Sequence, residues 1–228
     1  MRVLAALAAL LALGGPPRPL AGRTVAIDPG HNGANGAHPA AIGRLVDAGG
    51  VRKACDTTGT ATAGGLSEAW YDLDVALRLA RILRRAGARV VLTRRSNGGV
   101  GPCIDERAEI GNRAHADAAI SIHADGGPPG GRGFHVIYRP GAVASRRLAL
   151  AVRDAFAAGT GEPPSTYVGR AGLDARTDLG GLNLSTVPKV LVETGNMRNP
   201  ADAARLGSPA YREREAAALA RGLVAFLR

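Results

Sequence analysis

The sequence predicts an α/β domain built on an open, parallel sheet, and three short runs predict it. Thr24-Val-Ala-Ile27 passes through Asp28-Pro-Gly into His31, Ala118-Ala-Ile-Ser-Ile122 runs into His123, and Val187-Pro-Lys-Val-Leu-Val192 runs into Glu193. Each run is largely apolar and bounded by turn residues, the pattern of a strand covered on both faces. The carboxyl ends of such strands share one edge, where ligands bind. Two imidazoles and a carboxylate would meet there, and Glu68, opening a long helical stretch, can join them.

The elements follow in order. Residues 1–22 read as an export signal: Arg2 gives a positive start, Val3 to Leu13 an apolar core, and Pro19-Leu20-Ala21 a small-residue cleavage site. The apolar run is short for a bilayer and no cysteine follows to carry a lipid, so no stable membrane anchor is expected and the folded domain occupies 23–228. After the first strand, Asn32 to Gly65 shows no sustained period. Within it, Arg44 to Arg52 suits a hairpin turning at Gly49-Gly50, and so long a loop after His31 is expected to be a substrate-facing flap.

Ser67 to Ala86 is the clearest helix. Ser67 stands at the N-cap, Glu68 and Asp72 near the positive end of the dipole, and Leu73, Ala76, Ala80 and Leu83 line one face. Gly87 stops it, and Ala88 to Thr93 is the next strand, reached by a right-handed crossover. A helix is expected over Ile104 to Ala114, a strand over Gly133 to Tyr138 and a helix over Ala142 to Ala157. Residues 159–181 read as irregular and Thr194 to Asn199 as a loop. Ser208-Pro209 begins the last helix, which runs to about Leu227.

A chain of 228 residues suits one domain. Its formal charge of +10 favours polyanionic partners, but aromatics are only 4% and no basic run interleaves with them, so nucleic acid is set aside. Cys55 and Cys103 are the two cysteines, and in an exported chain they suit a bridge. Closing about 50 residues, it would contribute on the order of 4 kcal/mol. Two free thiols are the alternative, and the spacing lacks the Cys-x-x-Cys of a zinc site.

His31, Glu68 and His123 make a His₂Glu set, the three-ligand pattern that leaves a catalytic metal one position for water. Hydrogen-bonded structural histidines and a capping carboxylate at Glu68 are the other reading. Glu193 ends the most apolar strand, where it could act as a general base beside a cation or tie down the Gly195-Asn196 turn. His38, His115 and His135 are read as structural or solvated, with His38 the substitute should His31 not be a ligand.

Four ordered stretches carry a resemblance: Val25-Ala-Ile-Asp-Pro-Gly-His31-Asn-Gly, Ser67-Glu68, Ser121-Ile-His123-Ala-Asp and Val190-Leu-Val-Glu193-Thr-Gly-Asn196. In order and spacing they resemble the signatures of zinc-dependent N-acetylmuramoyl-L-alanine amidases of the amidase-3 type, most closely the compact actinobacterial members. The resemblance implies a twisted, mostly parallel six-stranded sheet flanked by helices. It implies one zinc ion on His31, Glu68 and His123, with Glu193 as catalytic acid/base. It further implies hydrolysis of the amide between the lactyl group of N-acetylmuramic acid and the L-alanine of the stem peptide, in peptidoglycan or released muropeptides.

The chain departs from the pattern twice: Asn183 stands where many members carry Arg, and Asn196 where Phe is usual. These two, with Arg94 or Arg95 beyond the strand ending at Thr93, are the candidate substrate contacts. The expected setting is an exported monomer in the periplasm, cell wall or medium, its basic surface drawn to anionic wall polymers. Two other readings stand beside this one. A secreted zinc peptidase or other amidohydrolase could use the same ligands, and a catalytically silent wall-binding protein would need a missing ligand or base, of which there is none.

Overall fold

A computed structural model of the chain describes residues 18–228. In chain order its elements are β1 (Thr24–Pro29), α1 (Pro39–Gly43), β2 (Leu45–Asp47), β3 (Arg52–Ala54), α2 (Glu68–Arg85), β4 (Arg89–Leu92), α3 (Ile104–Arg113), β5 (Ala118–Asp125), β6 (His135–Tyr138), α4 (Val143–Thr160), β7 (Leu173–Ala175), α5 (Gly180–Asn183), β8 (Lys189–Asn196), α6 (Pro200–Leu206) and α7 (Pro209–Leu227). Six strands form one sheet in the order β4-β1-β5-β8-β6-β7, and β2 pairs with β3 in a separate hairpin. All neighbours in the large sheet are parallel except β6 and β8, so the expected mostly parallel α/β fold is what the chain adopts.

The two faces of the sheet differ, and the difference places the site. Strand side chains alternate. Val25 and Ile27, Ala118, Ile120 and Ile122, Val136, and Val190 and Val192 all join the main core, which includes Leu79 and Leu83 of α2, Phe156 of α4 and Leu219 and Leu223 of α7. The alternate positions give the opposite face Ala26 and Asp28, Ala119, Ser121 and His123, and Leu191 and Glu193. This second face has only a small apolar cluster of Ala26, Ala116 and Ala119, where Gly111 of α3 approaches closely enough that an added Cβ would touch the Ala26 side chain. Helices α2, α4 and α7 therefore supply the bulk of the core, and the thinner cover over the other face leaves room for a cavity.

Sequence and structure differ mainly where elements are short. Residues 159–181 contain the edge strand β7, and the segment expected as a loop after Glu193 stays in β8 through Asn196. It then enters α6, capped by Asn199 accepting from the Ala201 and Asp202 amides. The Asn32 to Gly65 stretch holds α1 as well as the hairpin. Ser67 is the N-cap of α2 in position, but its hydroxyl makes no capping bond. Residues 1–17, and with them the apolar core of the expected leader, lie outside the described residues. Leu20, near the end of that segment, is fully buried in the core and donates its N–H to Ala86 O at 3.0 Å. Among the described residues no helix is long and apolar enough to cross a membrane.

Beneath the functional edge runs a buried polar chain. Tyr71 Oη lies 2.8 Å from Glu215 Oε2 and 2.7 Å from Thr194 Oγ1, which donates to His123 O at 3.0 Å. Tyr71 has one proton for two neighbours, and a protonated Glu215 supplies the missing one. Burial raises the Glu215 carboxyl well above the ordinary range, which keeps it protonated. Unfolded, the same group ionises above about pH 4.3. Native protein thus binds one more proton than unfolded protein above that pH, and stability falls by up to about 1.4 kcal/mol per unit. Glu215→Gln, a neutral isostere, is expected to raise the urea midpoint at pH 7 and leave it unchanged at pH 4. A loss of stability at pH 7 contradicts the assignment.

Candidate metal centre

Each candidate ligand owes its position to local backbone. At Gly30, directly after β1, an added Cβ would clash with the His123 ring, so only glycine lets that ring pack against the turn. His31 follows with φ of 52°, a left-handed conformation that histidine tolerates better than branched residues and that turns its ring off the strand line. Glu68 is the first residue of α2, and Thr60 N donates to its Oε2 at 2.9 Å. Gly59, with φ of 72°, lies so close that an added Cβ would meet Glu68 Oε2 at 2.8 Å and His31 Cδ2 at 2.9 Å. His123 sits in β5 beside Glu193 of β8 in the parallel register.

Glu68 Oε1 lies 3.2 Å from His31 Nε2 and 3.0 Å from His123 Nδ1. Ligand atoms of these three residues all fall within 4.8 Å of one another, the one such group among the described residues. Tetrahedral ligands at about 2.0–2.1 Å from zinc are separated by about 3.3 Å, close to the two spacings seen here. Two nitrogens and a carboxylate oxygen, with one side opening on a cavity, fit the ion. His38, the substitute ligand, is exposed and apart from this group.

The electrostatics favour positive charge at this point. Burial opposes protonation of His31, but hydrogen bonds with Asp56 and Glu68 outweigh it and push the ring up to about 11. Burial likewise pushes Glu68 up, and its bonds to His123 and His31 overcome that and hold it far below the usual carboxylate range. Both shifts favour a positive charge between His31 and Glu68. Glu193 has no such partner: its Oε2 is buried without a hydrogen bond. Burial first, then the charges of Glu68 and Asp125, raise it well above an ordinary glutamate. A cation beside it would bring it back down.

Two cavities meet at the rings. One, of about 240 Å³, lies under the β2–β3 hairpin and is lined by His31, His123, Lys53, Ile104, Leu182 and Leu191 among others. The other, of about 370 Å³, is lined by Glu193, Glu68, both histidines, Ile137 and Arg176. The Cys55–Cys103 bridge is formed and ties the end of the hairpin segment to the start of α3.

Gly30→Ala tests the packing of the ring. It is expected to displace His123 while leaving the fold intact, and a shift of an ångström at a reacting centre lowers turnover on the order of 100-fold. Unchanged kcat on a muropeptide would contradict the close approach.

The three candidate substrate contacts turn inward. Arg94 is buried and donates to Pro29 O, Gly30 O, Ala69 O and Ser96 O, clamping the turn behind His31. Asn183 donates to Ala48 O and Thr177 O, fastening α5 to the hairpin. Asn196 is fully buried and donates to Pro128 O and Gly131 O, holding the loop after β5. The donors of all three are thus spent within the protein, while half-buried Asn183 keeps its Oδ1 unengaged; Arg95 is exposed. His115 is exposed, whereas His135 is buried beside Glu193 in the β6–β8 register.

Three supporting residues escaped the sequence reading. Asp28 looked like part of a turn signal, yet it is buried and bound by Arg107, Thr93, Ser121 and Lys189. Those bonds and charges outweigh the cost of burial and hold its carboxyl far below the ordinary range. An acid closing an apolar strand was the available signal. Asp56 lies in a run with no periodicity and Arg107 on an ordinary amphipathic helix, so neither carried one.

Comparison with known proteins agrees with this geometry. The family model described as N-acetylmuramoyl-L-alanine amidase matches residues 25–225. The chain is 45% identical over 218 residues to the N-acetylmuramoyl-L-alanine amidase Rv3717 of Mycobacterium tuberculosis, covering 92% of this chain and 89% of that protein. The crystal structure of the N-acetylmuramyl-L-alanine amidase Ami1 from Mycobacterium smegmatis superposes with a TM-score of 0.88 at 46% identity, covering 91% of this chain and 98% of the other. The N-acetylmuramoyl-L-alanine amidase AmiC2 of Nostoc punctiforme follows at 0.70 and 30% identity, over 90% and 97%.

Proposed function

Because the chain belongs to the Amidase_3 family of N-acetylmuramoyl-L-alanine amidases, we propose that it hydrolyses its peptidoglycan substrate with a single zinc ion on His31, Glu68 and His123 and with Glu193 as general base and acid. The observation that carries this reading is the meeting of three ligand atoms, from the turn after β1, from α2 and from β5, within 4.8 Å, beside the carboxylate of Glu193 in β8, whose Oε2 has no hydrogen-bond partner. When bound, zinc makes a water acidic enough to attack near neutral pH and polarises the scissile carbonyl.

The rest of the work falls to side chains. Glu193 accepts a proton from the attacking water and returns it to the departing nitrogen of L-alanine. The bond that breaks joins the lactyl carbonyl carbon to that nitrogen, leaving a carboxylate on muramic acid and a free amine on the peptide. His31, Glu68 and His123 would hold the ion beside Glu193, and the apolar walls at Leu191, Ile104 and Leu182 limit water on one side.

Mass spectrometry of purified muropeptides digested by the full chain tests this. Expected products are muramic acid with a free lactyl carboxylate and an intact stem peptide, absent with chelator and restored by zinc. Shortened stem peptides would point to a peptidase, and no cleavage with zinc present to a silent wall-binding protein.

Export belongs to the same proposal, as does a monomer whose basic surface adheres to anionic wall polymers. The burial of Leu20 in the core supports a cut on its N-terminal side rather than after Ala21.

A further inference from the structure

Which nitrogen of His31 faces the ion is decided by what the other nitrogen touches. Nδ1 lies 3.2 Å from Asp56 Oδ1, 3.1 Å from Thr57 O and 3.3 Å from Thr57 Oγ1; the two nearest can only accept, so Nδ1 carries a proton, the hydroxyl accepts or turns away, and Nε2 is left facing Glu68. The Thr57 carbonyl is already engaged by Asn35 Nδ2 at 2.7 Å, and a carboxylate is the stronger acceptor.

Asp56 is itself fixed through both oxygens. Thr57 N donates to Oδ1 at 2.7 Å, and Arg107 Nη2 donates to Oδ2 at 3.1 Å and to His31 O at 2.9 Å. The other donors of Arg107 go to Asp28 Oδ1, Pro29 O and Pro102 O, so the guanidinium cannot swing away. Asp56 and Arg107 come from separate segments. The Cys55–Cys103 bridge joins those segments one residue before Asp56 and one helical turn before Arg107.

From this geometry we infer that Asp56 is a positioning residue of the metal centre. With Arg107 it sets the tautomer and orientation of the His31 ring, and the Cys55–Cys103 bridge acts on zinc binding by holding the two together. The inference rests on the zinc reading above. Asp56 contacts the ring nitrogen opposite the one that faces Glu68, so it acts through His31. Partners of this kind change metal affinity by about 10- to 100-fold.

The test titrates zinc into the metal-free full chain against a chelating fluorophore, for the parent, Asp56→Asn, Cys55→Ser/Cys103→Ser and the three substitutions combined. Asp56→Asn is expected to bind zinc about 10- to 100-fold more weakly, with the far-ultraviolet spectrum of the metal-free protein unchanged. In ¹⁵N-histidine-labelled, zinc-loaded protein, the downfield Nδ1–H resonance of His31 is expected in the parent and lost in Asp56→Asn, a signature that a purely structural role would not move. The cysteine pair is expected to weaken zinc in the parent background and to add little on top of Asp56→Asn. Equal zinc affinity of parent and Asp56→Asn would overturn the inference, the Thr57 carbonyl then being sufficient. Should Asp56→Asn fail to fold, unchanged affinity in the cysteine-pair variant would overturn it instead. A parent that takes up no zinc would sink the metal reading itself, a distinct outcome.

Discussion

Glu193→Gln is expected to bind one zinc ion as tightly as the parent and to cleave the muramoyl–alanine amide about 10²- to 10⁴-fold more slowly, the usual contribution of a positioned acid/base. The amide keeps the size of the carboxylate but cannot accept the proton that the attacking water must lose. The environment sharpens the expectation: Oε2 is buried with no protein hydrogen-bond partner, so its proton-accepting capacity is not spent on another residue. Zinc content by mass spectrometry and single-turnover cleavage of a muropeptide check the two halves independently. Full activity with zinc retained would remove Glu193 from the mechanism.

The second large effect belongs to the ligands. His123→Ala removes one of three donors, and it is expected to weaken zinc by more than the 10- to 100-fold seen for supporting residues, with turnover at background. Folding should survive, because the ring packs on the thinly covered face of the sheet, outside the main apolar cluster. The check is thermal: a ligand at a thousandfold excess over its Kd stabilises the native state by about 4 kcal/mol. Added zinc should therefore raise the Tm of the parent and leave that of His123→Ala unmoved. A zinc-dependent rise in the variant would mean that the ion is held elsewhere.

Much of this site could be read from the chain because its residues stand just after a strand, at the start of a helix or in the carboxyl-terminal half of a strand. His31 follows β1 through a Pro-Gly turn, Glu68 opens α2, and His123 and Glu193 sit at facing positions of β5 and β8. Strand alternation and parallel order bring such positions to one edge whatever the loops do. The disulfide was legible for a different reason: two cysteines in a chain expected to be exported have few alternatives.

The contacts that the chain did not reveal are those distant in sequence. Arg94, Asn183 and Asn196 stand near the site in the chain, but each satisfies backbone carbonyls of a neighbouring loop. Buried carbonyls need donors, and a local pattern does not reveal which side chain supplies them. Asp56 and Arg107 show the converse. They meet across 51 positions, and only the folded chain shows that one holds the other against His31. Short pieces such as β7 and α6 escaped because three to seven residues carry too little periodicity to register.

Anomalous diffraction across the zinc absorption edge, on crystals of the zinc-loaded chain, tests the central claim most directly. The account predicts one peak bonded to His31 Nε2, Glu68 Oε1 and His123 Nδ1, with Glu193 facing its open side. A peak that any of these three residues fails to touch, or no peak at this edge of the sheet, would contradict it.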